Sequence, residues 1–352
     1  MSKPTKGCTH ISFTLFKKKM LEITNYPIAI AVCFLAMICW GSWQNTQKFT
    51  GKGWNFELFY WDFALGILLM SLIYAFTAGS FGSSGRSFLN DLGQATLKNI
   101  GYALFAGVIW NLGTLLLVRA IAIAGMATAF TIGGGLAWLL GIILNYIENP
   151  ADYKPFLLYV GLILIIVTLL TSYFAYKRQA DSLKKPTLGV VIMSICVGIL
   201  VAFYYVIMVR SLDPDFSLEN SGKLTPYTAV VCFSVGVLLS TMIFNPIFMR
   251  KSIEGGSVSI KQYFSGTGKA HTMGVVGGMI WSSGNALSFM AVNAAGSAIS
   301  YGLSNAAPLV AAVWGIFVWK EFKGASPGIR RLLFLMFLLY FISLTIIILS
   351  KA

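Results

Sequence analysis

Charge is what this sequence has least of. Only 11% of its 352 residues are Asp, Glu, Lys or Arg, with 12 acidic against 26 basic. Soluble domains carry roughly twice that fraction, so a soluble globular fold is excluded for the bulk of the chain. Histidine is nearly missing: His10 and His271 are too few for a histidine-based metal centre. The cysteines are Cys8, Cys33, Cys39, Cys196 and Cys232. They form no C-x-x-C pair, and four lie in apolar stretches, so they read as small core residues and not as disulfides or metal ligands. There is no phosphate loop. Gly266-Thr267-Gly268-Lys269-Ala270 lacks the first glycine and the hydroxyl residue of that motif. Nor is there a nucleophile–base pair or a clustered acid, base or metal set, as a lipid-modifying membrane enzyme would need. The expectation is a non-enzyme without a cofactor.

What is present is apolar. The chain is 57% hydrophobic with a mean hydropathy of +0.76, which makes it a polytopic membrane protein. Most Lys and Arg fall between hydrophobic runs, so the net charge of +14 reads as membrane topology and not as nucleic-acid binding. After a polar tail, 1–26, with the basic run Lys17-Lys18-Lys19, ten segments reach spanning length. They are 27–48, 58–79, 100–122, 124–147, 155–176, 187–210, 226–249, 271–294, 295–319 and 331–350. The long apolar stretch after the tail, with nine more following, reads as a membrane span in preference to a signal peptide.

The third and eighth segments repeat one pattern. GVIWNLGTLLLVRAIAIAGMA, from Gly107, and GMIWSSGNALSFMAVNAAGSA, from Gly278, share nine of 21 positions at an offset of 171. Trp110 answers Trp281, and Asn111 answers Ser282. Each half, 27–176 and 187–352, then holds five segments around a central loop, 177–186. Five is odd, so the halves cross in opposite senses. The predicted fold is all-α, ten transmembrane helices in two inverted five-helix repeats, as in secondary transporters. Counting Lys and Arg places fifteen of the 26 on the side of connections 1–2, 3–4, 5–6, 7–8 and 9–10. That side is expected to be cytoplasmic and both termini outside, in the cell membrane.

Polar and aromatic groups at depth mark the expected substrate site. Trp40 and Trp43 share a face at the end of the first segment, and Asn45 follows. Flat rings beside amides suit a planar heterocycle or a sugar ring; an aromatic belt at the interface would use the same tryptophans. Trp110, Asn111, Trp281, Ser282 and Asn285 lie mid-segment, and Asn305 stands beside Pro308, which interrupts the ninth segment. Small and polar residues also pack membrane helices together, so helix packing competes with binding at each. Gly133-Gly134-Gly135 permits close contact or a local break in the fourth segment. Asp62, a turn inside the second segment, is the expected proton-coupling group; the competing reading sets it in headgroup water or beside Lys48.

One stretch resembles a known family. Gly284-Asn285-Ala286-Leu287-Ser288-Phe289-Met290, Ala294-Ala295-Gly296, Pro308-Leu309-Val310, Trp314-Gly315-Ile316 and Glu321 are similar to the ureide permeases of the drug/metabolite transporter superfamily. Gly41-Ser42-Trp43 looks like that family's Gly-Thr-Trp, Asp62 falls on a similar acidic position, and Asn145-Tyr146 matches too. The resemblance implies ten helices and proton-coupled import of ureides and nucleobases. Plant members carry a long central cytosolic loop with a phosphate-loop-like sequence; here the centre is only Lys177 to Pro186. Related sugar porters of the rhamnose and glucose/ribose types, and drug/metabolite exporters, share the architecture and stay open as alternatives. The expected partners are a small-molecule substrate, the proton and the lipid bilayer.

Overall fold

The computed structural model describes residues 19–51, 53–124, 129–179, 187–216, 218 and 220–352. Most of the tail 1–26 and of the central loop 177–186 lies outside them, with Cys8 and His10. The described residues are helical and contain no strand, only isolated bridges at loop ends. Ten long helices run in order: α1 (Tyr26–Lys48), α2 (Phe56–Phe76), α3 (Leu97–Ile123), α4 (Thr131–Glu148), α5 (Pro155–Gln179), α6 (Leu188–Ser211), α7 (Pro226–Met249), α8 (Gly268–Met290), α9 (Ser297–Val318) and α10 (Pro327–Leu349). Nine of these described helices are long and apolar enough to cross a membrane. The other, α8, has the length, but its glycines, His271, Ser282, Ser283 and Asn285 dilute its apolarity.

Local chemistry sets the helix ends. Pro27, Pro226 and Pro327 sit in the first turns of α1, α7 and α10, and Pro155 opens α5; a ring without an N–H costs nothing there. The side chains of Asn25, Thr267 and Ser326 accept backbone N–H bonds at the starts of α1, α8 and α10. Three helices are interrupted. The α-turns of α1 stop at Ser42 and resume at Asn45. A π-turn, Phe130–Gly134, leads into α4 at the triple glycine. In α9, Ser297–Ser304 gives way to Ala307–Val313 and a π-turn, Trp314–Val318. The interruption expected near Pro308 is therefore present, and at Gly133–Gly135, where the sequence permits close contact or a local break, the helix passes from π- to α-turns. Stretches 80–99 and 250–270, read as connections, each hold a short helix: Phe88–Gln94 and Ile260–Phe264. The second is closed by a reciprocal Ser259–Gln262 capping box.

The helices pack as α2 on α8, α3 on α7, α3 on α6, α1 on α8, α4 on α6, α1 on α9 and α5 on α10. Glycines make two of these crossings close. A Cβ at Gly107 would stand 2.2 Å from the Phe233 carbonyl oxygen, and one at Gly236 2.1 Å from that of Leu104. A Cβ at Gly278 would stand 2.0 Å from the Phe63 oxygen, and one at Gly66 2.1 Å from that of Val275. Backbones approach where side chains are missing, as membrane helices do in the absence of a hydrophobic drive between them.

Polar contacts gather the connections into two ends. At one, Lys48 pairs with Glu321 at 3.4 Å, Gln179 donates to the Glu321 carbonyl, and Arg119 to that of Lys251. Buried Glu57 accepts from Ser252 Oγ and Ile253 N there, both at 2.8 Å. At the other end, Arg86 holds Asp91 at 2.8 Å and Asp213 at 3.0 Å, and Arg210 holds Glu148 at 2.6 Å.

Candidate functional site

A cavity of about 120 Å³, partly open to its surroundings, lies among α1, α3, α4, α6, α8 and α9. Its walls are aromatic. Trp40 and Trp281 stack at 6.0 Å, and Trp40 Nε1 donates to the Trp281 carbonyl at 3.2 Å. Trp110 meets Trp281 at 3.9 Å between ring centroids. Phe233 backs both rings at 5.7 Å. Trp43 lines the mouth and rests on Phe63 at 4.5 Å. None of the lining residues is charged.

Of the expected site residues, Trp40, Trp43, Trp110, Trp281 and Asn305 come together on this cavity. Asn305 donates its amide N–H to the Tyr301 carbonyl at 3.1 Å, which leaves its oxygen free among the described residues. Asn111 does not line it. Its Oδ1 accepts from Tyr60 at 2.6 Å, and its Nδ2 donates to Ser240 Oγ at 2.8 Å and Thr241 Oγ1 at 3.1 Å, so the amide is spent on joining α3 to α2 and α7. Asn45 is likewise occupied, by the Ser42 carbonyl at 3.0 Å and by Trp319 Nε1 at 2.6 Å. Ser282 and Asn285 are fully buried, away from the lining, and neither the Ser282 hydroxyl nor either end of the Asn285 amide has a partner among the described residues. Sequence reasoning missed Gln44, Thr114 and Tyr204, which do line the cavity. Thr114 had a signal: it is the repeat equivalent of Asn285.

Trp43 and Gln44 of the lining stand just before Lys48, at the end that carries Glu321. A second chamber, between α4, α5, α9 and α10, adjoins the cavity and shares Gln44 and Pro308 with it. Towards the other end the way is shut. Tyr205 stacks on Phe289 at 4.5 Å and meets Tyr301 edge-on at 4.8 Å. Its hydroxyl lies 2.8 Å from Ser288 Oγ and donates to Ser300 Oγ at 3.1 Å. Beyond this plug lies a polar vestibule lined by Glu148, Asp152, Arg210, Asp213 and Lys223.

Asp62 is 3% exposed and outside the cavity lining. Its partner is not Lys48. Oδ1 accepts from Tyr263 OH at 2.7 Å, and Oδ2 lies 2.9 Å from Nδ1 of His271, whose side chain is 29% exposed. Burial, then the hydrogen bond to Asp62 and that group's charge, push the Tyr263 phenol up, so it stays a donor at neutral pH. Phe63, the next residue, lies tilted against Trp43 of the cavity lining at 4.5 Å. His271 and Tyr263 gave no sequence signal, because neither is near Asp62 in the chain.

The family description "Ureide permease" matches residues 59–190 and 172–350. Ureide permease 1 of Arabidopsis thaliana is 22% identical over 94% of this chain and 99% of its own length. Ureide permease 4 of the same plant is 24% identical over 94% and 99%. A Listeria innocua protein named for sugar uptake is 26% identical over 65% of this chain and 72% of its own. Matched by the family over most of its length, with its helices closed around one uncharged aromatic cavity, the chain belongs to the ureide permease family and is a multi-pass membrane transport protein.

Proposed function

We propose that the protein is a secondary active transporter that imports a small, neutral, planar metabolite of the ureide or nucleobase class across the cell membrane, coupled to protons. The observation that carries the reading is the cavity lining: indoles on several sides, Gln44, Thr114, Tyr204 and Asn305 as polar groups, and no charge. Rings stack on such faces. A charged solute would enter low-dielectric surroundings without a counter-charge. The relatives named as ureide permeases point to the same class.

The reading includes ten crossings in two inverted halves. The packing supports it. Exchanging α1 with α6, α2 with α7, α3 with α8 and α4 with α9 turns α2·α8 into α3·α7, and α3·α6 into α1·α8. The paired glycines exchange in the same way. With the 177–186 side cytoplasmic and both termini outside, the cavity faces the cytoplasm and the Tyr205 plug closes the outside, one state of an alternating-access cycle. A cysteine at Ser182, outside the described residues, would then label only from within. Asp62 is the proton site of this reading: a buried carboxylate that reaches water through partly exposed His271.

Sugar uptake is the second reading, favoured by the Listeria relative and by rings that stack on sugars equally well. Proteoliposomes with an inward proton gradient decide. Labelled uracil and allantoin should accumulate and glucose and rhamnose should not; accumulation of the sugars alone would reverse the assignment.

A further inference from the structure

The amides near the cavity differ in what they have left to offer. Asn111 and Asn45 are committed to protein partners, Asn305 is half committed, and Asn285 is buried off the lining. Gln44 is different. It is half-buried, and neither its oxygen nor its nitrogen has a hydrogen-bond partner among the described residues. It also lines both chambers, with Pro308 of α9 as the only other residue common to the two linings. Gln44 and Pro308 therefore stand where the two chambers adjoin.

The local sequence explains its placement. α1 breaks at Trp43-Gln44, and the next two residues stabilise the break: Thr46 Oγ1 donates to the Trp43 carbonyl at 2.7 Å, and Asn45 Nδ2 to that of Ser42 at 3.0 Å. Trp314 Nε1 of α9 donates to Ser42 Oγ at 2.9 Å and holds the same turn. Three neighbours are tied down and Gln44 is not.

We propose that Gln44 is the specificity-determining residue of this transporter and pairs edge-on with a substrate's adjacent N–H and C=O. The inference rests on reading the cavity as the substrate site. A primary amide presents one acceptor and two donors in a plane. A lactam or ureido edge presents the complement, so two coplanar hydrogen bonds form, Nε2–H to the substrate carbonyl and substrate N–H to Oε1. The tryptophans then hold the plane of the ring. A sugar offers freely rotating hydroxyls and no fixed coplanar N–H and C=O pair, so it matches the edge less closely. A site built for a hydrogen-bonding group discriminates strongly against an analogue lacking it, because its own polar atoms are left unpaired.

The test uses the full chain in proteoliposomes and compares uracil with 1,3-dimethyluracil, which keeps the ring but has no N–H. Wild type should prefer uracil by about tenfold or more in KM, as one lost pair of bonds implies. Gln44→Leu, similar in size, should raise the KM for uracil and allantoin about tenfold and erase the preference, with dimethyluracil little changed. A structural role would weaken both ligands equally and leave their ratio intact; that outcome overturns the assignment while transport stands. If Gln44→Leu does not insert, Gln44→Asn, one methylene shorter, should lower the preference instead, and an unchanged ratio refutes the proposal. Wild type that carries both pyrimidines equally also refutes it. Wild type that carries neither overturns the substrate reading itself.

Discussion

Trp110 and Trp281 stand 171 positions apart in the chain and 3.9 Å apart between ring centroids. They occupy the same place in the two copies of the repeat, and the fold brings them into contact, tilted by 37°, on the cavity. Base-sized rings stacked on aromatic side chains gain about 1–3 kcal/mol each. Trp281→Ala should therefore weaken substrate binding by roughly tenfold, whereas Trp281→Phe keeps a smaller face and loses less. Because the rings touch, Trp110→Phe and Trp281→Phe should not add. Equilibrium binding to the four proteins of that cycle measures the coupling, and strict additivity would deny that the pair acts as one wall.

Asn111→Ala should lower stability and spare affinity. Ser240 and Thr241 also donate to backbone carbonyls of their own helix, so only the Tyr60 hydroxyl loses its acceptor. Leaving one buried donor unpaired costs about 1–3 kcal/mol. The melting temperature of the purified variant should fall while its substrate Kd stays within about twofold, well under the 1.4 kcal/mol of a decade. A tenfold loss of affinity at unchanged stability would return Asn111 to the site.

Asp62→Asn should uncouple. The asparagine keeps acceptor and donor groups for Tyr263 and His271 but cannot release a proton. Accumulation driven by an inward proton gradient should disappear while substrate exchange at equal pH continues. Accumulation that survives would make the Asp62–His271 contact a structural fastening of α2 to α8.

Gly278→Ala should fail to fold well. The new Cβ would sit 2.0 Å from the Phe63 carbonyl oxygen and 2.8 Å from Ile67 N, both backbone atoms, so α2 and α8 must move apart. Overpacking of this kind costs about 1–3 kcal/mol or more. Gly189→Ala, where a Cβ meets nothing within 4 Å, is the control, and thermal stability in detergent compares them. Equal stability would mean that the crossing is looser than described.

Arg86→Met should be among the most damaging changes far from the cavity. Arg86 is buried between Asp91 and Asp213 and ties the 213–225 loop to the Phe88–Gln94 helix. Removing it leaves two carboxylates without their cation, a loss of about 3–5 kcal/mol for a broken buried pair. Yield and melting temperature of the variant should both drop sharply; a neutral result would place solvent at this cluster.

Much of the architecture was legible in the chain itself. Spanning length and apolarity located nine helices, and the interruption of α9 followed from a proline. The repeat marked Trp110 and Trp281 as a pair, and the Gly284–Met290 signature pointed to the family. Which amide reaches the cavity was not legible. In lipid a helix is apolar on every side, because the bilayer is as apolar as the core, so no polar face marks the inner surface. Asn111, mid-segment, reads as a ligand from the sequence, and Gln44, near a segment end, carries no such mark. Only the break at Trp43-Gln44 and the crossing of α9 over it turn Gln44 inward, just as only the α2–α8 crossing joins Asp62 to His271. Helical spacing tells which residues share a face; which neighbour that face meets is fixed by packing between helices distant in sequence, and that was decided by the tertiary structure.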